Sequence, residues 1–251
     1  MNLGLKGRVY AITGASSGLG YATAETLVAE GARVVLGARD PKKLTTACGN
    51  LGGPQVATAC AVNNADPDTP QQLIDSAHRE FGRLDGVMVS VGGPPSGSVQ
   101  ETTDEQWREA FESIFLGAVR IARVIGATLP NGGSIAFVLS STVRMPIPYL
   151  AISNGLRPGL AMIARSLSAE FGPHGVRVNS LLPGRIQTNR LLQMNAARDL
   201  DDIHEDVASV DLRRDGDPIE FARVAAFVLS PAASFMTGAL IPVDGGTIPC
   251  L

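Results

Sequence analysis

Short apolar runs rich in Val and Ile alternate with stretches of helical periodicity along the chain. They read RVYAIT at 8–13, RVVLGA at 33–38, VATACAV at 56–62, GVMVSV at 86–91, SIAFVLS at 134–140 and VRVNSLL at 176–182. Runs of this kind, separated by helices, are the rhythm of parallel strands buried on both faces. Between two of them, Trp107, Phe111, Ile114, Phe115, Ala118, Ile121, Ala122 and Ile125 recur at spacings of three and four, which predicts one long amphipathic helix over 104–128. A helical stretch near 218–229 and a last strand, ALIPV at 239–243, bring the total to about seven strands. The expected fold is α/β, a doubly wound parallel sheet with helices on both faces.

No linker rich in Gly, Pro or Ser and no internal repeat divides the sequence, so a single domain is expected over 1–251. The stretch 184–217 breaks the rhythm, being long, mostly polar and only partly helical in TNRLLQMNAARDL and DIHEDVASV. It follows the sixth strand, at the carboxyl edge where doubly wound sheets bind ligands, and is the expected substrate lid.

Composition narrows the function. Hydrophobic residues make up 45% of the 251 and charged residues 18%, which excludes disorder, collagen and coiled coil. A formal charge of −3 without a basic run argues against nucleic acid as a partner. No apolar run approaches the ~18 residues of a membrane span, and no signal-peptide pattern precedes Arg8, so no membrane partner and no processing are expected. Cys48, Cys60 and Cys250 are odd in number, widely spaced and not flanked by histidines at ligand distances; the expectation is a reducing cytoplasm and no metal. His78, His174 and His204 stand without carboxylates at suggestive spacing and read as surface residues.

The segment TGASSGLG at 13–20 directly follows the first strand and opens a helix. Glycines there allow a tight turn and a close backbone approach to a pyrophosphate, which the helix N-terminus then holds. Gly14, Ser16, Ser17, Gly18, Leu19 and Gly20 are therefore candidate dinucleotide contacts. About 20 residues on, a free adenosine ribose would call for an acidic residue, but the second strand ends Gly37-Ala38-Arg39. Arg39 offers a positive fork suited to a 2′-phosphate, with Lys42 and Lys43 near it, so NADP(H) is preferred and NAD(H) is the weaker candidate. The simpler reading of Arg39 is an exposed loop arginine beside Asp40.

With that glycine pattern, FGRLD at 81–85, RVNSLLPG at 177–184 and TGALIPVDGG at 237–246, nearly the whole chain resembles the classical short-chain dehydrogenase/reductases, in particular the branch labelled 3-oxoacyl-acyl-carrier-protein reductases. The resemblance implies a Rossmann-type domain, a nicotinamide cofactor, a homodimer or homotetramer, and interconversion of a small-molecule carbonyl and an alcohol. It also implies that Pro183, Gly184, Ile186 and Thr188 pass close to the nicotinamide. Where the family carries Asn-Asn-Ala-Gly after the fourth strand, this chain reads Val89-Ser90-Val91-Gly92, which keeps Gly92 as a cofactor contact. Near the adenine, Ala61 stands in place of the usual aspartate, leaving Val62 and Asn63.

The resemblance further implies a catalytic Tyr and Lys four residues apart on one helix, a Ser at the preceding strand end and an Asn on the long helix. Counted without gaps from RSLSAEFGPHGVRVN at 165–179, the Tyr position is Ser153 and the Lys position Arg157; the Ser position is Ser140, beside Ser141, and the Asn position is Ile114, which fits the apolar stripe of its helix. Tyr149, one helical turn before Ser153, is a candidate substitute acid, although Pro146 and Pro148 suggest that the helix begins near or after it and Pro158 is expected to bend that helix. Arg157 keeps a positive charge for the cofactor ribose but cannot pass a proton at neutral pH. Gly92-Gly93-Pro94-Pro95 reads either as the shape of the substrate entrance or as a rigid turn.

Two functions compete. One is an NADP(H)-dependent oxidoreductase with a remodelled acid, in which Ser140, Ser153 and Tyr149 hold the carbonyl. The other is a dinucleotide-binding protein without dehydrogenase turnover, acting as a sensor, a partner subunit or a non-redox enzyme.

Overall fold

A computed structural model of the protein describes residues 2–196 and 199–249; Cys250 and part of the first helical piece after the sixth strand lie outside the described residues. Seven strands, β1 (Val9–Thr13), β2 (Arg33–Ala38), β3 (Ala57–Ala61), β4 (Gly86–Ser90), β5 (Ser134–Val138), β6 (Arg177–Pro183) and β7 (Leu240–Val243), pair in parallel in the order β3-β2-β1-β4-β5-β6-β7. Alternate residues of each strand feed opposite cores, as the period of two requires. Val9 and Ala11 pack on one face with Leu73 of α3 (Thr69–Phe81), Ile121 and Leu160, and Tyr10 and Ile12 pack on the other with Leu27 of α1 (Gly18–Ala29), Leu44 of α2 (Pro41–Asn50) and Phe221 of α9 (Pro218–Leu229). The fold is the doubly wound sheet expected from the apolar runs.

The recurring sequence motifs have structural work to do. In FGRLD, Gly82 ends α3 with a left-handed φ of 76°, and the buried Asp85 carboxylate accepts two bonds from Arg83, at 2.8 and 2.6 Å, and one from the Val9 N–H at 2.9 Å. In RVNSLL, Arg177 donates to the carbonyls of Val228, Leu229 and Ser230, where a cation meets the negative end of α9. Asn179 donates to the Met236 carbonyl and accepts from the Ala239 N–H, fastening β6 to the segment that enters β7.

The long helix expected over 104–128 needs a correction. It runs as α4 (Asp104–Ala110), six residues of wider π winding (Phe111–Leu116) and α5 (Gly117–Gly126). Apolar spacing reports which face is buried and not which carbonyl each amide reaches, so it carries no sign of the change in winding. Ile114 lies within the wide turn, buried in the core, as its place in the apolar stripe suggested. The next helix, α6 (Ala151–Phe171), starts after Tyr149 and continues through Pro158.

After β6 the chain forms α7 (Asn189–Asn195) and α8 (Leu200–Ala208). The two ends of this excursion are tied together: Arg185 donates to Asp215 at 2.8 Å and to Asp206 at 2.9 Å, and the Gly216 N–H donates to the Arg185 carbonyl. Among the described residues no helix is long and apolar enough to cross a membrane.

Candidate active site

The order of the strands reverses between β1 and β4, and their carboxyl ends form the base of a crevice. Thr13 pins that base by donating from its hydroxyl to the Ser90 carbonyl at 2.7 Å and accepting from the Ser90 N–H at 3.0 Å. Gly14 follows with φ 62° and Gly18 with φ 58°, values that disfavour any side chain. A Cβ at Gly20 would collide with the Gly14 carbonyl, so the loop closes on α1 only with glycine there. The Ser17 side chain makes no capping bond, which leaves the first amides of α1 without a side-chain partner. Thr188 crosses over this loop from the far side, and a cleft of about 380 Å³ is lined by Gly18, Tyr21, Gln187, Thr188 and Asp217.

At the end of β2, Val62 is buried and its N–H donates to the Ala38 carbonyl, which brings it next to Arg39. Arg39 is exposed, and the Asp40 carboxylate is engaged elsewhere, accepting from the Lys42 and Lys43 N–H groups as the cap of α2. The arginine therefore has no carboxylate partner among the described residues. These features fit a dinucleotide: uncapped amides and a glycine turn for the pyrophosphate, and a free cation at the ribose end.

At the end of β5, Ser140 caps a single 3₁₀ turn (Ser141–Val143), its Oγ accepting from the Thr142 N–H at 3.2 Å. Its own O–H has no acceptor among the described residues and remains available to donate. Thr142 Oγ1 lies 3.2 Å from Ser153 Oγ on α6, and Arg157 Nε donates to Ser153 Oγ at 3.1 Å. Arg157 Nη1 donates to the carbonyls of Val138 and Leu139, at 3.1 and 2.9 Å. Burial, with a smaller push from the charge of Arg190, brings the Arg157 pKa down to about 10. The structure thus joins the buried Thr142, Ser153 and Arg157 side chains into one polar cluster, with the half-buried Ser140 attached to it through the Thr142 N–H. Three donor bonds of Arg157 point to the strand end and the serine, which leaves Nη2 as its one nitrogen without a hydrogen bond among the described residues.

Tyr149 stands apart from this cluster. It has a left-handed backbone, φ 58°, is two-thirds exposed, and takes part through its carbonyl, which accepts from the Gly97 N–H. Pro183 and Gly184 close β6, where a Cβ on Gly184 would crowd the Asp244 backbone, and Ile186 is buried in a bridge to Gly216. Gly92 is exposed with open space around its Cα. Across the same edge, Arg190 of α7 reaches the loop after β4 and donates to the Pro94 carbonyl at 2.7 Å and Ser96 Oγ at 3.4 Å.

Residues 14–247 match the family model described as enoyl-(acyl carrier protein) reductase. The chain belongs to the short-chain dehydrogenase/reductase family. It is 32% identical over 252 residues to galactitol 2-dehydrogenase (L-tagatose-forming) of Cereibacter sphaeroides, a match covering 96% of this chain and 95% of that one. The structure superposes on L-sorbose reductase of Gluconobacter frateurii, solved with NADPH and L-sorbose, with a TM-score of 0.91, 29% identity and full coverage of both chains. It also superposes on a short-chain oxidoreductase of Pseudomonas aeruginosa described as containing an atypical catalytic center, with a TM-score of 0.87, 30% identity, and 95% and 96% coverage.

Sequence reasoning missed two side chains of this short-chain dehydrogenase site. Thr142 was within reach of it, since STV follows Ser140 directly and adds a second hydroxyl to the same turn after β5. Arg190 was not, because its contact with Pro94 spans 96 residues and follows from strand order alone.

Proposed function

We propose that the protein is an NADP(H)-dependent oxidoreductase that interconverts a small-molecule carbonyl and an alcohol, with a remodelled centre lacking the family's Tyr and Lys. In this reading residues 1–251 form one dinucleotide-binding domain, 184–217 is its substrate lid, and the protein works in the cytoplasm as a homodimer or homotetramer. The observation that carries it is a shared sheet edge: the uncapped α1 amides and unpaired Arg39 stand at one end of it, and the free hydroxyl of Ser140 at the other. Galactitol 2-dehydrogenase acts on a polyol and L-sorbose reductase, solved with NADPH, on a ketose, which supports the cofactor choice and a small-molecule carbonyl or alcohol as substrate.

The glycine loop of Gly14, Ser16, Ser17, Gly18, Leu19 and Gly20 would hold the pyrophosphate, Arg39 and Val62 the adenosine end, and Gly92, Pro183, Gly184, Ile186 and Thr188 the nicotinamide side. When bound, the nicotinamide would supply the hydride. Ser140 would donate to the carbonyl oxygen, steadying the charge that develops there. The proton that completes the alcohol would come from solvent water at the Ser140 hydroxyl, because no group in that cluster releases a proton near neutrality and Thr142 meets Ser140 through its backbone N–H and not its hydroxyl.

A second reading, dinucleotide binding without turnover, is favoured by one observation: Arg157 is committed to the strand-end carbonyls and Tyr149 stands outside the polar cluster. Calorimetric titration with NADPH and NADH, followed by NADPH oxidation across ketoses, keto acids and acyl thioesters, separates the two. Tighter binding of NADPH with substrate-dependent oxidation supports the first. Binding without reduction of any carbonyl supports the second, and failure to bind either nucleotide removes both. Arg39→Ala should weaken NADPH by about tenfold or more and leave NADH nearly unchanged.

A further inference from the structure

Most of the arginines that this protein buries or fixes are neutralised. Arg83 meets Asp85, Arg185 meets Asp206 and Asp215, and Arg177 sits at the negative end of α9. Arg157 and Arg190 are not. Arg157 is 6% exposed, and it bonds a hydroxyl and two strand-end carbonyls, none of which carries a formal charge. Arg190 is half-buried and bonds one carbonyl and one hydroxyl. Among the described residues neither has a carboxylate, and Nη2 of Arg157 has no hydrogen bond.

Topology brings the two guanidinium groups to one place. Arg190 enters from the β6 side and lands on the loop after β4, and β5 lies between those strands. The bridge therefore passes in front of the end of β5, where Ser140 and Thr142 stand and where Arg157 is anchored. The charge of Arg190 is close enough to help lower the pKa of Arg157. Gly93 makes room for the crossing, because a Cβ there would stand 2.7 Å from Arg190 Nε. Two like charges facing one reaction edge, with no carboxylate on either among the described residues, form a receptor for an anion.

We propose that Arg190 and Arg157 form an anion subsite, and that the carbonyl substrate carries a carboxylate or phosphate which this subsite receives while Ser140 holds the carbonyl oxygen. The proposal rests on the oxidoreductase reading for its carbonyl and on the two arginines alone for its anion. The dinucleotide has its own phosphate cradle at the end of β1, two strands from β5 in the sheet or about 10 Å, and its own cation in Arg39 at the end of β2, one strand farther.

The test uses matched probes on the protein loaded with NADP⁺: acetoacetate and levulinate against their methyl esters, with inorganic phosphate as a third anion, each titrated by calorimetry. The acids should bind at least about tenfold more tightly than the esters, the gain expected of a charge-assisted bidentate contact. Arg190→Gln should abolish that preference, Arg190→Lys should keep part of it, and NADPH affinity should stay as in the wild type in both. Equal binding of acids and esters, or no saturable binding of any anion, overturns the proposal. A fall in NADPH affinity that tracks the Arg190→Gln loss also overturns it, since the arginine then reads a cofactor phosphate. Acid-selective binding without any NADPH oxidation upholds the subsite and removes only the redox reading.

Discussion

Arg157 donates from Nε to the hydroxyl of Ser153, 3.1 Å away and one helical turn earlier on α6. Nε and Nη1 of this cation are thus committed to Ser153 and the end of β5. Burial lowers its pKa from 12.5 to about 10, an unfavourable effect of about 3 kcal/mol on the charged form. Its three bonds, to Ser153, Val138 and Leu139, offset this by about 1 kcal/mol each. Arg157→Met should therefore change stability in urea by no more than about 1 kcal/mol. A loss beyond about 3 kcal/mol would instead make strand-end capping the purpose of the residue.

Ser140 and Thr142 make a paired experiment. Ser140→Ala removes the free O–H at the reaction edge and should lower kcat/KM for carbonyl reduction about 100-fold, as loss of an oxyanion donor does. Thr142→Val keeps the backbone N–H that orients Ser140 and removes only the link to Ser153, so its loss should be smaller. A Ser140→Ala enzyme as fast as the wild type excludes the serine from the chemistry.

The fold was legible in the sequence because its strands are buried on both faces, and such strands appear as uninterrupted apolar runs. Only their ends shifted, as at 56–62, where Val56 and Val62 fall outside β3 yet still bond to β2, through the Val34 N–H and the Ala38 carbonyl. The cofactor half was legible for a different reason: Gly14, Gly18 and Gly20 are local requirements of one short loop. The reaction edge was not, because its chemistry depends on where side chains point. Arg157 occupies the expected position yet turns to Val138 and Leu139, and Tyr149 sits four residues from Ser153 yet outside the helix. Arg190 meets Pro94 only because β4, β5 and β6 are neighbours in the sheet.

Gly20 offers a clean separation of binding from folding. A methyl group there would collide with the Gly14 carbonyl and push the glycine loop away from α1, while the core beneath it, Ile12 and Leu27, stays packed. Gly20→Ala should lose nucleotide binding by more than about tenfold and keep the far-ultraviolet circular dichroism of the wild type, since overpacking at one loop costs about 1–3 kcal/mol. Wild-type NADPH affinity in this variant would mean that the loop does not cradle the phosphates.

The base of the 184–217 segment is closed by a pair that titrates. Glu220 accepts from Arg214 at 2.7 and 2.6 Å and from the Asp217 N–H at 2.8 Å, and these bonds hold its pKa down at about 2 against an ordinary 4.5. A carboxylate depressed in the folded state adds stability that is fully present above pH 4.5 and is lost as pH falls from there toward 2. Both partners are exposed, so salt screens the pair and the contribution shrinks as ionic strength rises. Glu220→Gln should accordingly flatten the acid limb of thermal stability between pH 4.5 and 2 at low salt, and the difference from wild type should narrow in high salt. Since the same pair joins α9 to the end of the segment, amide exchange in 211–217 should speed up before the sheet loosens. A variant whose acid limb and exchange both follow the wild type would show that Arg185 and Asp215 hold the segment closed without help from Glu220.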